Sequence, residues 1–163
     1  MVTLMRTKPG ATQRALKQTK PFRSPAEALA ASLLRTADLV RGELEDALAE
    51  LDVTGQQYNV LCILRGSHPE PMATLEIAER MIERAPGITR MLDRLEAAGW
   101  VTRRRCHDDR RRVLCGITAA GLAQLAKADG PVLDTEERLA KRLGRADQAR
   151  LIELLEALQE ESS

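Results

Sequence analysis

Residues 85–117, APGITRMLDRLEAAGWVTRRRCHDDRRRVLCGI, set six arginines (Arg103, Arg104, Arg105, Arg110, Arg111 and Arg112) within ten positions, directly behind an amphipathic segment. No interior holds that many guanidinium groups unpaired, because burying an isolated cation costs more than folding returns. The arginines must face water or a polyanion, so the segment that carries them has to project from the core. Apolar and β-branched residues recur at period two on either side (Val101, then Val113, Cys115 and Ile117), so Trp100–Cys106 and Arg112–Ile117 read as two short strands. The polar run His107-Asp108-Asp109-Arg110-Arg111 between them is the exposed tip of a hairpin.

The segment ahead of the hairpin has helical spacing. Ile88, Leu92, Leu95 and Ala98, with Met91 beside them, form one apolar stripe that must be buried. Pro86 suits the first helical turn and Gly99 the position just past the end. The other face carries Pro86, Thr89, Arg90, Asp93, Arg94 and Ala97: small residues first, cations further on. An exposed helix end of that kind, with an arginine, fits a DNA major groove. An isolated charge run is most often a solvated face. Behind a helix–turn–helix spacing, nucleic acid becomes the favoured reading.

A chain of 163 residues supports one domain with appendages. Its aromatics are Phe22, Tyr58 and Trp100, so the core is expected to be aliphatic and mainly helical. No apolar run approaches the ~20 residues that span a bilayer. Cys62, Cys106 and Cys115 are odd in number and form no CxxC pair, which favours a reducing compartment, and no apolar leader is evident at the start. A cytoplasmic location is expected. The net charge of +1 hides an asymmetry: residues 1–26 hold six cations (Arg6, Lys8, Arg14, Lys17, Lys20, Arg23) and no acid, leaving the remainder at −5. The acid-free start resembles a mitochondrial transit peptide, but a flexible basic arm over 1–23 is the favoured reading.

Residues 24–163 are expected to form one domain. Ser24-Pro25-Ala26-Glu27 is a capping box that opens a long helix ending near residue 52, striped by Leu29, Leu33, Ala37, Val40, Leu44, Leu48 and Leu51. Thr54-Gly55-Gln56-Gln57 is a second box, for a helix stopping near Gly66. Thr74 is expected to cap a short helix that leads through a tight turn into the Ala85 segment, making a helix–turn–helix with the hairpin as its wing over 54–117. A further helix starts at Thr118, with Gly130-Pro131 expected to kink or interrupt it. Ala146–Gln159 closes the chain with Leu151, Leu154, Leu155 and Leu158 on one stripe. The expected fold class is mainly α with a small β-wing: a winged helix–turn–helix flanked by terminal dimerisation helices (24–52 and 119–160). Striped helices at both ends have little core of their own to cover, so a homodimer is the economical solution, presenting two probing helices ~34 Å apart.

The run Ile88-Thr89-Arg90, Leu95-Glu96, Gly99, Asp109-Arg110-Arg111, Ile117-Thr118 and Gly121 resembles the MarR family of bacterial transcription regulators, over about residues 25–160. The resemblance implies a homodimer on pseudo-palindromic double-stranded operator DNA, usually a repressor, released by a small-molecule effector or an oxidant. It places Pro86, Gly87, Thr89 and Arg90 near base edges and Arg94 closer to phosphate. In the wing it puts Arg111 in the minor groove and Arg110 on the backbone, with Asp109 orienting the arginines by pairing with one of them. Arg145 stands where the family often has a helix-capping Ser.

Other chemistries find less support. There is no nucleophile–base–orienter set, no phosphate-cradling Gly loop and no paired carboxylates in an apolar setting, so an enzyme is not expected. Cys106-His107 lacks the further ligands a metal needs, and no cofactor is expected. Cys106 lies among arginines, a setting that favours thiol reactivity and supports a redox-sensing regulator as one alternative. With Cys106 expected opposite about Arg111 and Cys115 opposite about Thr102, an intrachain disulfide between them is out of reach. A winged module for protein–protein assembly, its arginines meeting an acidic partner, is the other alternative.

Overall fold

The structure is a computed structural model describing residues 10–107, 109 and 111–160. It divides into two compact units, 1–43 and 44–163, with the division falling inside one long helix.

In the first unit, α1 (Ala11–Ala15) is a short helix within the stretch expected to be an irregular arm. Tertiary bonds that periodicity does not report account for it. Gln13 Nε2 donates to the carbonyls of Gln18 (3.4 Å) and Lys20 (3.0 Å), and the hydroxyls of Thr12 and Ser32 share a 2.9 Å bond. The chain reverses at Lys17, whose φ is 50°. Helix α2 (Pro25–Leu48) begins where the cap predicts, with Ser24 Oγ accepting the Glu27 N–H at 3.1 Å. The Glu27 carboxylate, however, accepts from the backbone and guanidinium of Arg23, so only half of the expected box forms.

In the second unit, α2 runs out at the buried Leu48, and a 3₁₀ turn (Ala49–Leu51) leads to Asp52 in the left-handed region. The Thr54/Gln57 box is complete: Thr54 Oγ1 accepts from Gln57 N at 3.3 Å, and Gln57 Oε1 from Thr54 N at 2.9 Å. It opens α3 (Gly55–Ser67), which buries Val60, Leu61 and Leu64. There follow β1 (Met72–Ala73), α4 (Thr74–Arg80), α5 (Ile88–Ala97), β2 (Val101–Arg105), β3 (Val113–Ile117), α6 (Ala119–Ala140) and α7 (Arg145–Gln159). The three strands form an antiparallel sheet in the order β1-β3-β2.

Four expectations are corrected. Thr74 does not cap α4: the N-cap is Ala73, and Thr74 Oγ1 instead donates to the Val113 carbonyl at 3.3 Å, tying α4 to the unforeseen β1–β3 pairing. Pro86 is not in the first helical turn, because Ala85-Pro86-Gly87-Ile88 closes a turn (Ile88 N to Ala85 O, 3.1 Å) with proline at its favoured second position, and α5 starts after it. Pro131 does not interrupt α6; it sits exposed within a continuous helix, so the carbonyl that loses its N–H partner lies on the solvent side. The hairpin register is one residue from that expected, with Arg103 opposite Cys115 and Cys106 N donating to Arg112 O at 2.9 Å.

The core of the second unit joins the end of α2, the 3₁₀ turn, α3 to α6 and all three strands: Leu48, Leu61, Leu64, Ile77, Leu92, Leu95, Val101, Cys115 and Leu125 are among its buried members. Each fully buried leucine contributes roughly 1.5–3 kcal/mol. The helix–turn–helix and the wing are therefore one packed body.

Candidate nucleic-acid interface

Helix α5 is closed by its sequence at one end and left open at the other. At its C-terminus Gly99 takes φ 75°, Gly99 N donates to Glu96 O and Trp100 N to Leu95 O, both at 2.9 Å, a Schellman closure that turns the chain directly into β2. At its N-terminus the N-cap is Gly87, and no side chain caps the helix. The positive end of the helix dipole is thus open to an anion where Thr89 and Arg90 project.

Leu92 and Leu95 are buried, while Pro86, Gly87, Thr89, Arg90 and Arg94 are all exposed, so the structure brings these five expected site residues onto one accessible surface. Arg90 and Arg94 line one side of a cleft of about 380 Å³, faced by Glu45 near the end of α2 and by Thr54, Gln56 and Gln57 at the start of α3. The α3 start is a part of this surface that helical periodicity in α5 does not reveal; its capping box marks only where that helix begins.

In the wing, Arg104, Arg105, Arg111 and Arg112 are exposed. Arg112 N donates to Asp109 O, and Asp109 Oδ1 accepts the Arg111 N–H at 2.9 Å. Among the described residues Asp109 thus shapes the tip through the backbone. Arg110 lies outside the described residues. Arg103 departs from the expectation that all six arginines face outward: its Nη2 reaches Asp93 Oδ1 at 2.5 Å and its Nε reaches Glu96 Oε2 at 2.9 Å, both on α5. The Glu96 bond, then that of Asp93, raises the guanidinium pKa against the opposing effect of burial. Period two was the available signal, since it puts Arg103 on the same strand face as the buried Val101.

The thiols differ in setting. Burial pushes the pKa of Cys115 up, outweighing its Thr74 hydrogen bond, and likewise raises that of half-buried Cys62 against Tyr58 and Arg65. A neutral thiol is a poor nucleophile. We expect a thiol-specific alkylating agent at neutral pH to modify Cys106 first and Cys115 only under denaturing conditions; peptide mapping with Cys115 labelled in the native protein would contradict this burial. Among the described residues no group of three or more His, Cys, Asp or Glu is placed to hold a metal, and no helix is long and apolar enough to cross a membrane.

Residues 53–113, which contain α3, the helix–turn–helix and the wing as far as the start of β3, match the model of the MarR family. Over 113 residues, 69% of this chain and 76% of the relative, the sequence is 34% identical to the multiple antibiotic resistance protein MarR of Escherichia coli K12. The chain belongs to the MarR family of transcription regulators. A MarR transcription factor from Planctomyces limnophilus is 39% identical, with a TM-score of 0.65 over 84% of this chain and 99% of that one. A cysteine mutant of the E. coli MarR, solved in complex with operator DNA, superposes with a TM-score of 0.77 at 27% identity, over 86% of this chain and all of that one. The expected fold, mainly helical with a small antiparallel wing, is that of these MarR-family structures.

Proposed function

We propose that this protein is a homodimeric, sequence-specific double-stranded DNA-binding repressor of the cytoplasm that a small-molecule effector releases from a pseudo-palindromic operator. The observation that carries the reading is the exposed α5 face of Pro86, Gly87, Thr89, Arg90 and Arg94, set beside a wing whose tip arginines also face solvent. The uncapped α5 N-terminus adds a favourable end for phosphate. In this reading α5 enters the major groove, Arg90 reads base edges and Arg94 meets phosphate. Arg111 enters the minor groove, Arg110 lies on the backbone, and Asp109 holds the tip. The operator complex of the related E. coli protein supports the assignment.

Selection of bound duplexes from a random pool tests it. The expected winner is an inverted repeat with half-sites about one helical turn apart, and enrichment of no sequence would remove the reading. Arg90→Ala is expected to cost ~1–3 kcal/mol on that operator and to relax preference at one base pair. Arg111→Ala should weaken binding with less change of preference and lower the salt slope by about one. Titrations at several salt concentrations with wild-type affinity for both variants would refute the groove assignment.

A further inference from the structure

Among the described residues Arg103 is the arginine of the wing turned toward its own subunit, with consequences for reading DNA. It lies in β2 with its side chain 22% exposed, against 52% for Asp93 and 41% for Glu96. Its two bonds leave from different nitrogens and land on carboxylates one helical turn apart on α5. A fork held at two points fixes orientation as well as distance, which a single ammonium would not do. The base of the hairpin is fixed in the sheet, where β1 pairs with β3 and Val101 and Cys115 are buried, but β2 is an edge strand with β3 as its one neighbour, so the Arg103 side chain adds a second tie between β2 and α5 beyond the Ala98–Trp100 link.

Asp93 and Glu96 present a second puzzle. Both are exposed carboxylates on the helix proposed to approach a polyanion, where simple electrostatics makes them unfavourable. Arg103 resolves it, because the two carboxylates are its anchors.

We propose that Arg103 is a positioning residue that locks the wing to α5, so that the major-groove and minor-groove contacts are presented as one rigid unit, and that Asp93 and Glu96 serve to hold it. This rests on the reading above, in which α5 and the wing engage one duplex. Arg103 itself does not touch DNA.

The decisive variant is Asp93→Asn with Glu96→Gln. Removing two negative charges from a DNA-facing helix should tighten binding if charge alone mattered. The lock predicts the opposite on the selected operator: the ratio of operator to random-duplex affinity falls about tenfold, as expected when coupled neighbours lose their link. Arg103→Gln should lower the same ratio to the same degree with the salt slope unchanged, whereas a phosphate-contacting arginine would take about one from the slope. Combining all three substitutions should cost no more than Arg103→Gln alone, and Arg103→Lys should restore part of the ratio.

A readout without DNA keeps the lock separate from the DNA-binding reading. In Arg103→Gln the hairpin amides, including Cys106 N bonded to Arg112 O, should exchange with solvent about tenfold faster, as a locally loosened element does, while α3 and α6 amides are unchanged. If no duplex is selected but wing exchange accelerates, the lock stands and the DNA reading falls. Unchanged wing exchange, an acid-neutral variant that binds operator more tightly, or a reduced salt slope in Arg103→Gln would each overturn the lock.

Discussion

Leu151→Asp combined with Leu154→Asp should convert the proposed homodimer into a monomer with ~10²-fold or more lost from its operator affinity, because the linked pair of half-site contacts proposed for the dimer becomes two independent ones. Within the second unit, α7 exposes Leu151 (43%), Ile152 (55%), Leu154 (49%) and Leu158 (58%), α6 exposes Leu133, and the turn between the two helices exposes Leu143. No residue of α7 is buried within the subunit. A 15-residue helix with that much leucine in water is disfavoured at roughly 25 cal/mol per Å² of apolar surface, which favours covering the stripe with a second copy. The two leucines make no part of the Leu61–Leu92–Leu125 core, so the winged body should keep its fold. Its melting temperature should then no longer depend on protein concentration, as it does for an associating native chain. Sedimentation and titration of the selected operator check both halves of the expectation. A variant that still sediments as a dimer would place the dimer contact elsewhere, and a true monomer with full operator affinity would detach dimerisation from binding.

The features legible in the sequence were those whose cause is local. Thr54 and Gln57 satisfy each other's backbone within four residues, Gly99 takes a φ that other residues avoid, and the β2–β3 hairpin pairs neighbours in sequence; each was read close to where it lies. What escaped depends on partners far along the chain. Strand β1 is two residues long and exists because Met72 and Ala73 pair with Cys115 and Leu114. That same pairing brings the Val113 carbonyl to Thr74, taking its hydroxyl away from the cap the sequence suggested. Pro131 looked like a break because proline removes one hydrogen bond, yet the buried Ala128, Val132 and Thr135 continue the α6 stripe across it, and packing outweighs a single lost bond. The candidate site shows the same division. The exposed face of α5 followed from its own periodicity, whereas the destination of Arg103 depends on how β2 lies against α5, which spacing alone does not give.

Gly121→Ala should be the most damaging single-methyl change in the protein, costing ~3 kcal/mol or more. A Cβ at this position would sit 2.2 Å from the Trp100 carbonyl oxygen and 2.8 Å from Ile117 Cγ1, distances that non-bonded atoms do not tolerate. Relief by movement is blocked on both sides. The Trp100 carbonyl accepts the Thr118 N–H at 3.0 Å, and Thr118 Oγ1 donates to Gly99 O at 2.7 Å while accepting the Gly121 N–H at 2.9 Å. Backing α6 away would therefore break its own N-cap and loosen the joint at which α5, the wing and α6 meet. For a chain of this length the loss corresponds to a fall of roughly 6–12 °C in melting temperature. Gly66→Ala is the matched control: it lies within helix α3 with nothing near the position its Cβ would take, and alanine there should be neutral or stabilising by up to ~1 kcal/mol. If thermal unfolding gave the two variants equal stability, the close approach of the α6 start to the Trp100 backbone would not be what requires glycine at 121. If only Gly121→Ala melted early and its operator affinity fell at a temperature where it is still folded, the joint beneath the wing would be shown to set the reading surface as well as the fold.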